Sequence, residues 1–206
     1  VLLMLEEIDG IKRIRLGSLE LTPVMEKIAE MSDRLPKLCP QFHMSLQSGC
    51  DSVLKRMKRR YTCEDYRRAV MLLRENWEDA SVTTDIMTGF PGETDDDFQE
   101  TLDLAAACRF SKIHVFPYSM REGTPAAKRT DQVPAEVKQK RAARLRELSE
   151  ELALADCEHR VGTYESAIIE PDFALTESYH EIERPAIGAV GDLVSVELES
   201  NMLRSQ

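Results

Sequence analysis

What most constrains the fold of this chain is an alternation. Apolar runs of strand character at 13–17, 41–46, 82–88 and 112–118 are separated by stretches of helical period at 23–34, 51–59, 63–76 and 94–108. Parallel strands need a long crossover and a helix is the usual one, so this order predicts βα units around a parallel sheet. Start signals sharpen three of the helices: Thr22 precedes Pro23, Thr62 precedes Glu64 and Asp65, and Thr94 precedes Asp95, Asp96 and Asp97. A long charged stretch at 134–160 carries Val137, Arg141, Leu145, Leu148, Leu152 and Ala155 on one helical stripe. That pattern predicts an amphipathic helix packed on the sheet, with Lys138, Lys140, Arg141, Arg144 and Arg146 as a solvated basic face that could also touch RNA. After Gly162 the rhythm changes to two-residue alternation at 163–170 and 192–199, with Gly188 and Gly191 as turns. A separate small β module is expected there, dividing the chain near Val161 into 1–160 and 161–206.

Charge narrows the partners. The 206 residues hold 27 Lys and Arg against 37 Asp and Glu, a net charge of −10, so no domain-wide basic field attracts phosphate backbones and any contact with nucleic acid must be local. The five cysteines, Cys39, Cys50, Cys63, Cys108 and Cys157, are odd in number and lack paired short spacing. They predict neither a disulfide framework nor a zinc or iron–sulfur ligand set, and they fit a reducing, cytoplasmic setting as small buried residues. The opening run of Val1, Leu2, Leu3, Met4 and Leu5 is too short for a membrane span and has no basic leader, so no membrane association is expected. It reads as the middle of a helix exposed by truncation.

Four segments place chemistry at strand ends, where ligands bind in parallel α/β folds. Thr83-Thr84-Asp85-Ile86-Met87-Thr88-Gly89-Phe90-Pro91-Gly92-Glu93-Thr94 is a strand, a glycine-bounded turn and a helix start. Gly89 and Gly92 would admit close backbone approach, and the helix start supplies free N–H donors, although such a turn is also ordinary punctuation. Phe42-His43-Met44-Ser45-Leu46-Gln47-Ser48-Gly49-Cys50 is again strand into turn, followed by a basic stretch containing Arg59. Gln47, Arg59 and Asp85 put an amide, a cation and an anion at consecutive strand ends, a set suited to a zwitterionic ligand. Each alone has a bland reading as a turn cap or a solvated charge. The remaining two segments, 13–20 and 112–127, are strands leading into polar turns, with His114 expected to be a hydrogen-bonded structural histidine.

In this order the four segments resemble the second half of the radical S-adenosylmethionine domain of methylthiotransferases, and 162–199 resembles their small β-barrel TRAM module. Phe90-Pro91-Gly92-Glu93-Thr94 followed by Phe98, and Phe116-Pro117-Tyr118-Ser119 followed by Gly123-Thr124-Pro125-Ala126-Ala127, carry the resemblance. Arg13-Ile14-Arg15-Leu16-Gly17-Ser18-Leu19-Glu20 and Ser45-Leu46-Gln47-Ser48-Gly49 resemble the branch acting on N6-threonylcarbamoyladenosine beside the tRNA anticodon. The resemblance implies a partial (βα) TIM-type barrel, truncated at its N-terminal side, followed by a small antiparallel β-barrel. It implies S-adenosylmethionine and 4Fe-4S clusters as cofactors of the full-length enzyme, and the tRNA anticodon loop as its partner. The implied cofactor contacts are Glu20, Gln47, Ser48, Arg59 and Asp85, the turn Gly89, Phe90, Pro91, Gly92 and Glu93, and Phe116 and Tyr118 near the adenine. The three-cysteine cluster motif is missing, so the fragment is expected to be inactive, with no catalytic or metal-binding residue of its own and an open sheet edge prone to self-association. Two alternatives remain: another radical enzyme resembling coproporphyrinogen dehydrogenase, against which the β module speaks, and a non-catalytic tRNA-binding scaffold.

Overall fold

The computed structural model describes residues 1–19, 21 and 23–200, so Glu20 and the Thr22 start signal lie outside the described residues. The chain forms α1 (Leu2–Glu6), β1 (Ser18–Leu19), α2 (Pro23–Ala29), β2 (Gln41–Met44), α3 (Asp51–Arg56), α4 (Cys63–Asn76), β3 (Ser81–Thr88), α5 (Asp95–Cys108), β4 (Lys112–Pro117) and α6 (Ala135–Arg160). Four short strands follow: β5 (Tyr164–Ile169), β6 (Ala174–Thr176), β7 (Glu181–Ile182) and β8 (Leu193–Glu197). Among the described residues no helix is long and apolar enough to cross a membrane.

The expected parallel sheet is present in the order β1-β2-β3-β4, with every pairing parallel. Two helices start as their sequences dictate. Thr62 accepts from the Asp65 N–H and Thr94 from the Asp97 N–H, and each aspartate returns a bond to its capping residue's N–H. One face of the sheet is apolar: Phe42, Met44, Val82, Ile86 and Ile113 pack with Tyr66, Leu73, Phe98 and Leu102 of the helices. Tyr66 is buried at that seam because its hydroxyl donates to the Met44 carbonyl at 2.7 Å. Strand alternation sends Gln41, His43, Thr83, Asp85 and His114 to the opposite face.

The first predicted strand, 13–17, does not form. Ile14 bridges Leu38 while Ser18 pairs with His43, so the partner segment holds one residue more than its neighbour. That extra residue falls beside Pro40, which has no N–H for a ladder, and regular pairing resumes only at Ser18. Arg13 and Arg15 use their side chains instead. Arg13 donates to the carbonyls of Ser166 (2.9 Å) and Leu175 (3.2 Å), and Arg15 to that of Thr176 (3.0 Å), which docks the second sheet onto the first. The helix expected over 23–34 ends at Ala29 and resumes as a single tight turn at Ser32–Arg34.

The second sheet is antiparallel, in the order β7-β6-β5-β8. Its two-residue and three-residue strands are too short to leave an alternation in the sequence, and among the described residues β7 and β8 do not pair, so the sheet stays open rather than closing as the expected barrel. The junction is ionic. Arg160 pairs with Asp156 and with Glu165, and His180 Nε2 lies 3.1 Å from Asp156.

This junction predicts a pH dependence. Burial pulls the His180 imidazole down, but its bonds to Asp156 and Cys157 outweigh burial and lift it to about 9. An unfolded histidine titrates near 6.5, so the contribution, on the order of 1–3 kcal/mol, is complete below that pH and is lost as pH rises through about 9. Wild type should therefore exceed His180→Gln in thermal stability at about pH 6, with the gap closed at about pH 10. A gap independent of pH would show that the imidazolium contributes nothing.

Candidate functional site

The site is built where β1 and β2 end. Gln47 follows β2 in a left-handed conformation, with φ 71°, which an unbranched side chain tolerates at some cost. Its backbone is held on both sides: its N–H donates to the Asp85 carbonyl at 2.7 Å and its carbonyl accepts from the Met87 N–H at 2.9 Å. The Arg59 N–H donates to the Leu54 carbonyl at 3.0 Å, closing the end of α3. Two residues on, the Tyr61 hydroxyl bridges to the carbonyls of Ser45 (2.9 Å) and Leu46 (3.0 Å), pinning this basic segment against the end of β2.

Between them opens a cleft of about 550 Å³, lined by Ser18, Leu19, Ser45, Gln47, Arg59 and Tyr61 among others. This lies within the range of small-molecule sites, ~300–1,000 Å³. Gln47 and Arg59 thus both line one cleft. Asp85 is one step behind them. Its carboxylate accepts through Oδ2 from the Ser45 hydroxyl at 2.7 Å, and His43 Nε2 lies 3.2 Å from the same oxygen. Its side chain is a quarter exposed, at 26%. His114 stacks at a tilt on His43, with ring centroids 5.7 Å apart, and burial lowers its pKa.

The glycine turn after β3 forms a second, tighter cluster. Gly89 and Gly92 both have positive φ, at 73° and 79°, and a Cβ at Gly89 would collide with the Lys138 side chain. The turn closes on Glu93, whose carboxylate accepts the Gly89 N–H at 2.9 Å and pairs with Arg141 at 2.6 Å. Phe90 packs edge-on against Tyr118 with centroids 5.4 Å apart. The Tyr118 hydroxyl is buried and has no hydrogen-bond partner among the described residues, an unmet donor of the kind a ligand satisfies. Pro91 is buried within the same turn.

Two candidates have other surroundings. Ser48 is fully buried, with its hydroxyl beside that of Thr101 and accepting the Cys50 N–H, so its bonds are internal. Phe116 is 52% exposed on the sheet face away from the helices. The basic stripe of α6 is largely committed: Lys138 donates to the Tyr118 carbonyl, Arg141 is buried on Glu93, and Arg144 pairs with Glu147 and Glu151. Sequence reasoning passed over Gln41, His43, Ser45 and Thr83 as a polar set. The signal was present, since polar residues two apart in an apolar strand share one face.

Among the described residues no three His, Cys, Asp or Glu side chains stand together as metal ligands. Burial raises the thiol pKa of Cys50 and of Cys108 to about 11 each, which disfavours the thiolates a metal requires.

Comparison with known proteins places this geometry in context. Residues 1–105 match the family described as the Radical SAM superfamily. Threonylcarbamoyladenosine tRNA methylthiotransferase MtaB of Bacillus subtilis is 40% identical over 176 residues, 84% of this chain and 38% of that protein. Its namesake in Thermotoga maritima is 44% identical over 75% of this chain and 36% of its own length. The tRNA-2-methylthio-N(6)-dimethylallyladenosine synthase of Nocardia farcinica is 45% identical over 76% of this chain and 31% of its own length. The chain therefore spans about a third of these relatives. Among solved structures, coproporphyrinogen III oxidase of Escherichia coli superposes with a TM-score of 0.55 over 84% of this chain and 46% of that one, at 16% identity, a likeness of fold alone.

Proposed function

The chain belongs to the radical S-adenosylmethionine superfamily, and from that premise we propose that it is part of a tRNA-modifying methylthiotransferase, in which it forms the wall that holds the cofactor. The observation that carries this reading is the cleft of about 550 Å³, lined by both Gln47 and Arg59, at the carboxyl edge of a parallel sheet. The cavity size, the amide and the cation fit S-adenosylmethionine, and the unmet Tyr118 hydroxyl of the neighbouring glycine-turn cluster offers it a further donor. Bound there, the cofactor supplies radical hydrogen-abstracting chemistry. Arg59 would pair with its carboxylate and Gln47 with its ribose or amino acid part, and Asp85 would accept a hydrogen bond from it. Gly89, Phe90, Pro91, Gly92 and Glu93 would shape the turn beside it, and Phe116 and Tyr118 would flank the adenine. Glu20 completes the proposed set from outside the described residues. The cluster ligands would come from residues other than those described here, so this chain alone should be inactive.

The proposed substrate is carbon 2 of N6-threonylcarbamoyladenosine beside the anticodon. The support is the pair of segments 13–20 and 45–49, together with the two relatives that bear that substrate in their names. The identity to the dimethylallyladenosine enzyme favours a second reading with that base as substrate. Nucleoside mass spectrometry of tRNA from cells lacking the gene separates them. Loss of the methylthio group from threonylcarbamoyladenosine alone supports the proposal, and its loss from dimethylallyladenosine overturns it.

The cofactor site makes its own prediction. In the full-length reconstituted enzyme, Arg59→Ala and Asp85→Ala should each weaken S-adenosylmethionine binding by about 1–3 kcal/mol, the range for removing a charged hydrogen-bond partner. Calorimetric affinities equal to wild type in both variants would remove these residues from the site.

A further inference from the structure

The polar face of the first sheet carries one continuous chain of hydrogen bonds, and its direction follows from donor chemistry. Arg15 can only donate, and its Nη1 lies 2.9 Å from Gln41 Oε1. That turns the Gln41 amide nitrogen toward Thr83, whose Oγ1 accepts it at 3.3 Å. The Thr83 hydroxyl sits 3.0 Å from His43 Nδ1, and His43 Nε2 sits 3.2 Å from Asp85 Oδ2. A carboxylate accepts, so Nε2 carries the proton and a neutral ring receives the Thr83 hydroxyl proton at Nδ1. Each group thus donates to the next, from a fixed cation to a fixed anion, an arrangement in which successive bonds polarise one another.

Both ends are anchored. Arg15 donates through Nη2 to the Thr176 carbonyl at 3.0 Å, and its guanidinium lies 4.8 Å from the centre of the Tyr179 ring, both in the second sheet. At the far end, His43 and Ser45 both engage Asp85 Oδ2. Among the described residues Oδ1 then has no hydrogen-bond partner, and it belongs to a side chain that is 26% exposed and whose partner Ser45 lines the cleft.

We propose that Arg15, Gln41, Thr83 and His43 are positioning residues that transmit docking of the second sheet to Asp85, holding its carboxylate with Oδ1 free for the bound ligand. The direct role of Asp85 toward S-adenosylmethionine rests on the function proposed above; the chain itself does not. The relay requires one tautomer of one histidine.

Long-range proton–nitrogen NMR of the histidine rings in the 206-residue chain tests it. Wild-type His43 should be the Nε2–H tautomer, Thr83→Val should convert it to a tautomer mixture, and Thr83→Ser, which keeps the hydroxyl, should restore it. Arg15→Met should move the His43 ring nitrogen shifts in the same direction as Thr83→Val. A wild-type Nδ1–H tautomer, or a His43 indifferent to Thr83→Val and Arg15→Met, overturns the relay. In the full-length enzyme Thr83→Val should weaken S-adenosylmethionine binding about two- to tenfold, the effect of one net hydrogen bond. An intact tautomer response with unchanged cofactor affinity in Asp85→Asn would instead remove Asp85 from the cofactor site and leave the relay standing.

Discussion

Arg141→Met is expected to lower the free energy of unfolding by about 3–5 kcal/mol, the range for breaking a buried ion pair from one side. Arg141 and Glu93 have side chains only 7% and 2% exposed, at 2.6 Å. Methionine removes the guanidinium that lies 5.7 Å from the centre of the Phe98 ring and, among the described residues, leaves the Glu93 carboxylate buried with the Gly89 N–H as its remaining bonded partner. The contact of Arg141 with Asp95 adds little, because that carboxylate is 94% exposed. Burial already raises the Glu93 pKa, against the pull of the Gly89 N–H and Arg141. Removing the cation raises it further, so the deficit should be full at neutral pH and shrink on acidification as Glu93 protonates. Adding Glu93→Gln should recover part of the loss. Urea unfolding followed by circular dichroism measures all of this, and a deficit under about 1 kcal/mol in the single variant would show that the pair is not buried in solution.

Arg160→Met should cost a similar amount, about 3–5 kcal/mol, and should act locally. The Arg160 side chain is 5% exposed and meets Asp156 at 3.1 Å, Glu165 at 3.0 Å and the Asp79 carbonyl at 2.7 Å. It joins the end of α6, the turn before β3 and the start of the second sheet. Its loss leaves two carboxylates sharing a buried site, with the His180 imidazole and the Ser178 hydroxyl and N–H as the remaining partners of their side chains among the described residues. Hydrogen exchange should accelerate through β5, β6 and β8 while β2 and β3 keep their protection. Unchanged exchange in β5 would mean that the Arg13 and Arg15 contacts alone secure the module.

Much of the architecture was legible because its signals are local. A threonine three residues before an aspartate starts α4 and α5, and apolar residues two apart set the buried face of β2 and β3. The positions of Gln47 and Gly89 just beyond strand ends follow from the same reasoning, whereas Asp85 lies within β3 rather than at its end. Among the described residues the second sheet is open where a closed barrel was expected after Val161, and strands as short as Glu181–Ile182 carry no period of their own.

By itself, then, the sequence determined the order of βα units, the helix starts and the strand ends at which ligand-binding groups could stand. The tertiary structure decided which polar side chain meets which. Periodicity sets Arg141 on the packed stripe of α6 as well as in its basic cluster, but it does not name its partner, a carboxylate 48 residues away. Arg13 and Arg15 sit in a stretch of strand character, yet they reach carbonyls more than 150 residues away in the second sheet. Periodicity encodes which face of an element avoids water, a property of neighbours a few residues apart. Pairing of buried charges and hydrogen bonds depends on strand register and on how distant elements dock, and no local pattern specifies either.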